Sequence, residues 1–301
     1  MNQELMKRTI GYYPGCSLEG SSREYKESVS ALADAFDITL EQVPDWNCCG
    51  ASAAHNLNKK LALALPARVL AKASAAGMTE LLVPCAACYN KLSVVQHELQ
   101  NDAALLAEVE EVMGQKLGSP LRILNIIQFV QEEIVPRLGN RVVQPFDKVA
   151  CYYGCLLVRP NDILKFDRVE DPQLMDEVMQ ALGAETIDWP FKTECCGAGL
   201  SVSRTDVVAN LSGKIVKEAS ERGAKAIIVA CPMCHSNLDM RRAEINKRYG
   251  MKYNIPVIYL SQAIGIALGL QEQQTGLHRH FVKVDHTEFC KMQQRQPVTE
   301  Q

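Results

Sequence analysis

The chain has 301 residues, 47% hydrophobic and 22% charged, with a formal net charge of −3 and a pI near 6.1; this allows two ordinary domains with separate cores and lacks the basic excess of a nucleic-acid binder. Its longest apolar run, near 257–270, is interrupted by Ser261 and Gln262 and falls short of the roughly 20 residues that cross a bilayer. The opening MNQELMKRTIGYYPG lacks the apolar stretch of a secretory signal, so the expected address is cytoplasmic, where twelve cysteines point to metal or redox chemistry rather than disulfides.

Residues Thr9–Tyr13 read as a buried strand ending at the turn Pro14-Gly15-Cys16. Ser21 or Ser22 can cap the next helix, in which Tyr25, Val29, Leu32 and Phe36 recur at helical spacing. Ile38–Val43 is a second short strand, delivering Cys48, Cys49 and Gly50 to a loop. Asn58 caps a long Ala- and Leu-rich helix running towards Gly77, with a break or kink expected at Pro66. Leu81–Val83 is a third strand, and Cys85-Ala86-Ala87-Cys88 opens a helix at its carboxyl end. Leu121–Leu124 is a fourth, leading into a helix through Gln128.

The second half repeats this order. Lys148–Tyr153 is the strand before Cys155, and Asp171-Pro172 starts a helix with Leu174, Val178 and Leu182 on one face. Glu185–Asp188 precedes Cys195, Cys196 and Gly197; a helix over 205–222, the strand Ala226–Ala230 and Cys231-Pro232-Met233-Cys234 follow. Pro256–Leu260 mirrors the fourth strand. The predicted fold class is therefore α/β and internally duplicated: two similar parallel-sheet domains with flanking helices, related by a pseudo-dyad. The expected domains are 8–134 and 148–275, joined by a linker at 135–147. An extra polar insert falls near 100–117 of the first, and 276–301 form a tail, extended for partner binding or disordered.

Ten of the twelve cysteines fall into two sets of five with one pattern: a lone cysteine on a glycine-flanked turn, then Cys-Cys-Gly, then Cys-x-x-Cys, with matching positions offset by 139 to 147 residues. Every set falls at predicted strand carboxyl ends, the functional edge of a parallel sheet. Thiolates select zinc, copper(I) or iron–sulfur clusters. A structural zinc takes four ligands, typically from two Cys-x-x-Cys pairs, whereas each set here has one such pair and a fifth cysteine over. Adjacent cysteines, with Cα atoms about 3.8 Å apart, crowd one tetrahedral ion but fit neighbouring irons of a polynuclear cluster. Gly50 and Gly197 suit close backbone approach to such a cofactor, with N–H groups aimed at sulfur.

With these motifs the sequence resembles the B subunits of heterodisulfide reductases, whose Cys-Cys-Gly domain occurs here twice, over nearly all of 8–270. The resemblance implies two noncubane [4Fe–4S] clusters, one held by Cys16, Cys48, Cys49, Cys85 and Cys88, the other by Cys155, Cys195, Cys196, Cys231 and Cys234. It implies a disulfide/dithiol substrate cleaved between them. Electrons would arrive from a flavin-bearing partner of the A-subunit type, through a partner of the C-subunit type that carries cubane [4Fe–4S] clusters. Neither partner's motifs occur in this chain. The direction of reaction is open.

Among other residues, His55 and His235 are candidates to protonate a product thiolate, against supporting or surface roles. Arg159 and Arg204 can neutralise an anionic substrate or pair on the surface. Cys151 reads as a small buried strand residue rather than a sixth ligand, and Cys290 as an incidental thiol. His278, Arg279 and His280 suit a partner interface; Lys59-Lys60 and Arg241-Arg242 read as solvated helix faces. Two rival readings stand beside disulfide chemistry: an electron-relay component of a lactate- or glycolate-type oxidase, whose members share Cys-Cys-Gly repeats, and a zinc-stabilised assembly protein without turnover.

Overall fold

The computed structural model of the chain describes residues 8–51 and 54–290, the side chains of His55 and His286 excepted. The first half runs β1 (Arg8–Tyr12), α1 (Gly15–Glu19), α2 (Arg23–Ala35), β2 (Ile38–Gln42), α3 (Ala54–Leu57), α4 (Lys59–Ala75), β3 (Glu80–Leu82), α5 (Ala86–Asn101), α6 (Ala103–Met113), β4 (Arg122–Leu124) and α7 (Ile126–Phe129). A π turn (Val130–Ile134) and a 3-10 turn (Val135–Arg137) prolong α7. The second half runs β5 (Lys148–Tyr152), α8 (Leu174–Ala181), β6 (Glu185–Thr186), α9 (Thr205–Glu221), β7 (Ala226–Val229), α10 (Pro232–Asp239), α11 (Arg242–Tyr249), β8 (Val257–Tyr259), α12 (Leu260–Ala267) and α13 (Glu272–Thr275).

Both sheets are parallel and four-stranded, in the orders β2-β1-β3-β4 and β6-β5-β7-β8. The central strands are buried on both faces, as in Ala226–Val229, because helices cover both sides of a parallel sheet. The halves meet by equivalent pairs: α2 packs on α12, and α8 packs on α7. Exchanging the halves exchanges these two contacts, which is the signature of the expected pseudo-dyad. Each fourth strand enters its helix by the same cap, with Gln128 Oε1 accepting from the Asn125 N–H at 3.1 Å and Gln262 Oε1 from the Tyr259 N–H at 3.0 Å.

Several sequence expectations change. Asn58 caps α4 as expected, accepting from Lys60 and Leu61 N–H groups, but α4 runs unbroken through Pro66, which is buried in the packed helix face; tertiary packing offsets the lost backbone bond. Ser22 occupies the α2 N-cap without a side-chain cap bond. The 100–117 segment is mostly α6, and it has a shorter helical counterpart in α11. The second half has its own enlargement, the irregular stretch 156–173, visible in the sequence only as a 40-residue step from Cys155 to Cys195 against 32 from Cys16 to Cys48. The segment 135–147 is not free chain: Val143 and Gln144 N–H groups donate to Ala267 O, and Phe146 is buried. Residues 277–290 also pack back on the body, with Leu277 and Phe289 buried and Cys290 bridged to Phe146.

Candidate metal centres

Each strand of the functional edge delivers one part of a sulfur set. After β1 and β5 the chain turns through Gly15 and Gly154, both at φ +68°. A Cβ added to either glycine would lie 3.0 Å from Sγ of Cys88 or Cys234, so only glycine lets these turns pass the last cysteine of their set. After β2 and β6 come the paired cysteines, and Gly50 (φ +73°) and Gly197 (φ +84°) close their turns. The N–H groups of these two glycines point at Cys48 Sγ (3.4 Å) and Cys195 Sγ (3.3 Å). After β3 and β7, Cys85 and Cys231 take the N-cap positions of α5 and α10, placing Cys88 and Cys234 in the first turn.

The result is two convergent quintets. In the first, the Sγ atoms of Cys16 and Cys48 lie 3.6 Å apart and those of Cys49 and Cys88 3.2 Å apart. Cys85 is close enough to raise the proton affinity of Cys16, Cys49 and Cys88. In the second, Cys196 and Cys234 are 3.6 Å apart, and Cys155 and Cys234 feel Cys196 and Cys231. Exposure grades alike in both: Cys16, Cys48, Cys155 and Cys195 reach solvent at least in part, while Cys49, Cys85, Cys88, Cys196, Cys231 and Cys234 are buried.

So many thiols at contact cannot ionise together, and protons are shared. A hydrogen bond from Cys16 and a second from Cys49 pull Cys48 down to about 2, while Cys48 pushes Cys49 up to about 12. Cys155 pulls Cys195 down to about 6, and Cys234 pulls Cys231 down to about 7. A cationic core of several metal ions would relieve this repulsion, and the donors are all sulfur; the residues fit a polynuclear thiophilic centre in each half.

The surroundings repeat where the backbone needs support. Tyr13 and Tyr152 each lie beside four sulfurs of their set. Their hydroxyls donate to Asn47 O (2.8 Å) and Glu194 O (2.6 Å), the carbonyls just before the paired cysteines. Trp46 and Trp189 pack on these same two tyrosines. Sequence reasoning passed over both tyrosines, although each stands three residues before the lone cysteine of its set. It also passed over Asn237, a buried amide that donates to Cys196 O (3.2 Å) and faces Cys196 Sγ (3.6 Å).

The other candidates lie elsewhere. His235 is buried with Nε2 3.1 Å from Val257 O and 3.2 Å from His280 Nδ1, and burial drives it well below the usual histidine range. It is held neutral, and its Nε2 is engaged by Val257 O and His280. His55 falls on α3, with its side chain outside the described ones. Arg159 is exposed and paired with Glu170 at 2.8 Å, and Arg204 pairs with Asp206 at 2.9 Å. Cys151 is fully buried at the position that Tyr12 holds in β1. Arg242 is buried, donating to backbone carbonyls of Leu238, Tyr253 and Ile255, not a solvated face. His280 joins Arg279 in fastening the tail: Arg279 pairs with Glu27 at 2.9 Å, and the Gln262 amide donates to His280 Nε2 at 2.9 Å. His235, Asp239 and His280 cluster closely enough to suggest a metal. Gln262, however, places the His280 proton on Nδ1, and both Asp239 oxygens accept backbone N–H groups of Phe281 and Val282. These hydrogen bonds leave His280 no free lone pair and give the cluster a structural use in holding the chain after it.

A family model described as CCG, cysteine-rich domain, matches residues 10–93 and 149–239. The chain is 28% identical over 279 residues to the membrane anchor subunit of the 8-methylmenaquinol:fumarate reductase of Wolinella succinogenes, covering 92% of this chain and 98% of that one. It is 28% identical over 282 residues to the B subunit of the ferredoxin/F(420)H(2)-dependent CoB-CoM heterodisulfide reductase of Methanosarcina acetivorans, covering 91% and 94%. Against a protein of Archaeoglobus profundus named as similar to the heterodisulfide reductase B subunit, the identity is 25%, over 88% and 92%. Among solved structures, a hypothetical protein from Helicobacter pylori matches with a TM-score of 0.75 over 93% of this chain at 16% identity. The chain spans about half of that protein (53%), and the likeness speaks for the fold alone.

Proposed function

The chain belongs to the CCG cysteine-rich domain family, with two copies of the domain, and from that premise we propose that it is the catalytic iron–sulfur component of a heterodisulfide reductase-like complex. Each quintet holds one noncubane [4Fe–4S] cluster, and a disulfide is cleaved or formed between the two. The overall step joins RSSR′, two electrons and two protons to give RSH and R′SH, or runs in reverse. When bound, the clusters supply the electrons and the sulfur-binding iron positions. The carrying observation is that both quintets gather at strand carboxyl ends of a duplicated fold, each with two sulfurs reaching solvent and three behind.

The chain's own residues prepare this site in three ways. Gly15 and Gly154 leave room beside Cys88 and Cys234, and Gly50 and Gly197 aim N–H groups at Cys48 and Cys195. Tyr13 and Tyr152 hold the paired-cysteine turns. The buried cysteines exclude water from the inner face, which strengthens electrostatic control there. A partner of the C-subunit type with cubane clusters and a flavin-bearing partner of the A-subunit type deliver electrons, and the complex works in the cytoplasm. No helix of the described residues is long and apolar enough to cross a membrane.

Anaerobic purification with iron and sulfide analysis tests this: about eight irons per chain are expected for two [4Fe–4S] centres, and zinc without sulfide overturns it in favour of an assembly protein. The Wolinella relative, named as part of a fumarate reductase, favours a second reading, in which the chain relays electrons to a partner enzyme. Adding disulfides to the reduced protein separates the two: a paramagnetic signal that appears only with disulfide supports direct chemistry, and silence supports the relay.

A further inference from the structure

One side chain touches the backbone that feeds both centres. Tyr25, near the start of α2, is 0% exposed. Its hydroxyl donates to Pro84 O at 3.1 Å and lies 3.5 Å from Ala230 O. Pro84 immediately precedes Cys85 of the first set, and Ala230 immediately precedes Cys231 of the second. The two Cys-x-x-Cys turns therefore meet at a single phenol. They also touch directly, since the Ala87 N–H of the first turn is within hydrogen-bonding reach of the Cys231 sulfur of the second.

The ring is held as firmly as the hydroxyl. It stacks on Tyr259 with centroids 4.0 Å apart and planes within 4°, and the His235 ring stacks on Tyr259 in turn at 4.4 Å. One turn along α2, the hydroxyls of Ser28 and Ser261 meet at 2.7 Å. The equivalent helix pair, α7 with α8, offers no such phenol among the described residues: the side-chain bond spanning that junction joins Gln131 to Glu177 at an exposed position. A duplicated molecule thus has an unduplicated strut at its middle.

We propose that Tyr25 is a positioning residue that fixes the separation and orientation of the two sulfur centres, so that both can reach one substrate disulfide at the same time. This rests on the paired-centre reading above. The sulfurs of a disulfide are about 2.05 Å apart, so two centres sharing them tolerate little relative movement. A misplacement of about 1 Å can cost on the order of a hundredfold in rate, and a buried carbonyl without its donor will shift to find another.

The test is Tyr25→Phe in the cluster-loaded chain, which keeps the stack and removes the hydroxyl. Iron per chain and the spectrum of each isolated centre stay at wild-type values. The dipolar splitting between the two centres changes in electron paramagnetic resonance, and kcat with a dithiol or disulfide probe falls about tenfold while KM stays within about twofold. Ser261→Ala is the control, loosening α2 against α12 while sparing the phenol, and it leaves the splitting unchanged. A wild-type splitting and kcat in Tyr25→Phe overturn the proposal, as does an equal change in Ser261→Ala. A wild-type protein without disulfide turnover instead removes the paired-centre reading; the splitting still reports whether Tyr25 sets the spacing.

Discussion

The two halves agree at the sulfurs and part company just behind them. Gly15 and Gly154 share one backbone angle and one distance to sulfur, and Tyr13 and Tyr152 make one hydrogen bond. Three residues before the paired cysteines, however, the first half has Asp45, exposed and paired with Arg68 and Lys72, while the second has Lys192, buried against Asp171 and Asp176. After the last cysteine stands Tyr89 in one half and His235 in the other. Positions that shape the sulfur nest are thus repeated, and positions that set the charge around it are not. Two sulfur nests of like geometry therefore sit in unequal charge surroundings.

The largest effect should come from a ligand inside either nest. Cys49→Ser or Cys196→Ser should abolish disulfide turnover and lower iron from about eight to about four per chain, leaving the other half loaded. Elemental analysis with activity assays checks this; full activity in either variant contradicts the assignment of five cysteine ligands to each centre. Next come Gly15→Ala and Gly154→Ala, which should destabilise alike. Alanine at a left-handed angle costs about 1–3 kcal/mol, and its Cβ would press on Cys88 or Cys234 Sγ at 3.0 Å. Thermal unfolding and iron retention should fall equally in the two variants. An effect confined to one half would show that the nests differ where the geometry makes them alike.

The repeated features were legible in the sequence for a physical reason. A cysteine set has few chemical substitutes, and a parallel sheet places strand ends on one edge, so motif and fold predicted one another. What escaped was side-chain traffic between distant segments. The Tyr25 hydroxyl spans 59 residues to Pro84 and 205 to Ala230, and at helical spacing Tyr25 reads only as core. His235 looked like a proton donor because it adjoins Cys234; chain adjacency could not show that its ring turns to Val257 O and Tyr259. The 135–147 and 277–290 segments read as linker and tail because they have no repeat, yet each supplies a phenylalanine to one stack, Phe146 on Phe289 at 5.6 Å.

The charge difference between the halves has a pH signature. Burial raises Asp176 from 3.8 to about 6, against opposing help from Tyr153 and Lys192. Because its folded value lies above the unfolded one, the protonated group favours the native state fully below about pH 4, and that contribution is lost as pH rises through 6. Asp45 is exposed and held below its usual range by Lys72 and Arg68, so the first half has no matching loss in this window. Asp176→Asn should therefore raise the unfolding midpoint at pH 7 relative to pH 5 when both are compared with wild type. Unfolding curves at the two pH values check the difference, and an unchanged pH profile would show that the Lys192 cluster is ionised throughout.

The smallest effect is expected at the surface. Arg159 makes an exposed pair with Glu170, and such pairs contribute about 0–1 kcal/mol. Its loop is held from the other half by Asn90, whose amide donates to Leu156 O at 3.0 Å and Arg159 O at 2.6 Å through backbone acceptors that a side-chain change leaves intact. Arg159→Ala should accordingly leave iron content and KM for a disulfide probe within about twofold of wild type, a change of under about 0.5 kcal/mol. A rise in KM of tenfold or more, seen with an anionic disulfide and absent with a neutral one, would instead place the guanidinium at the substrate and make the second half the one that reads charge.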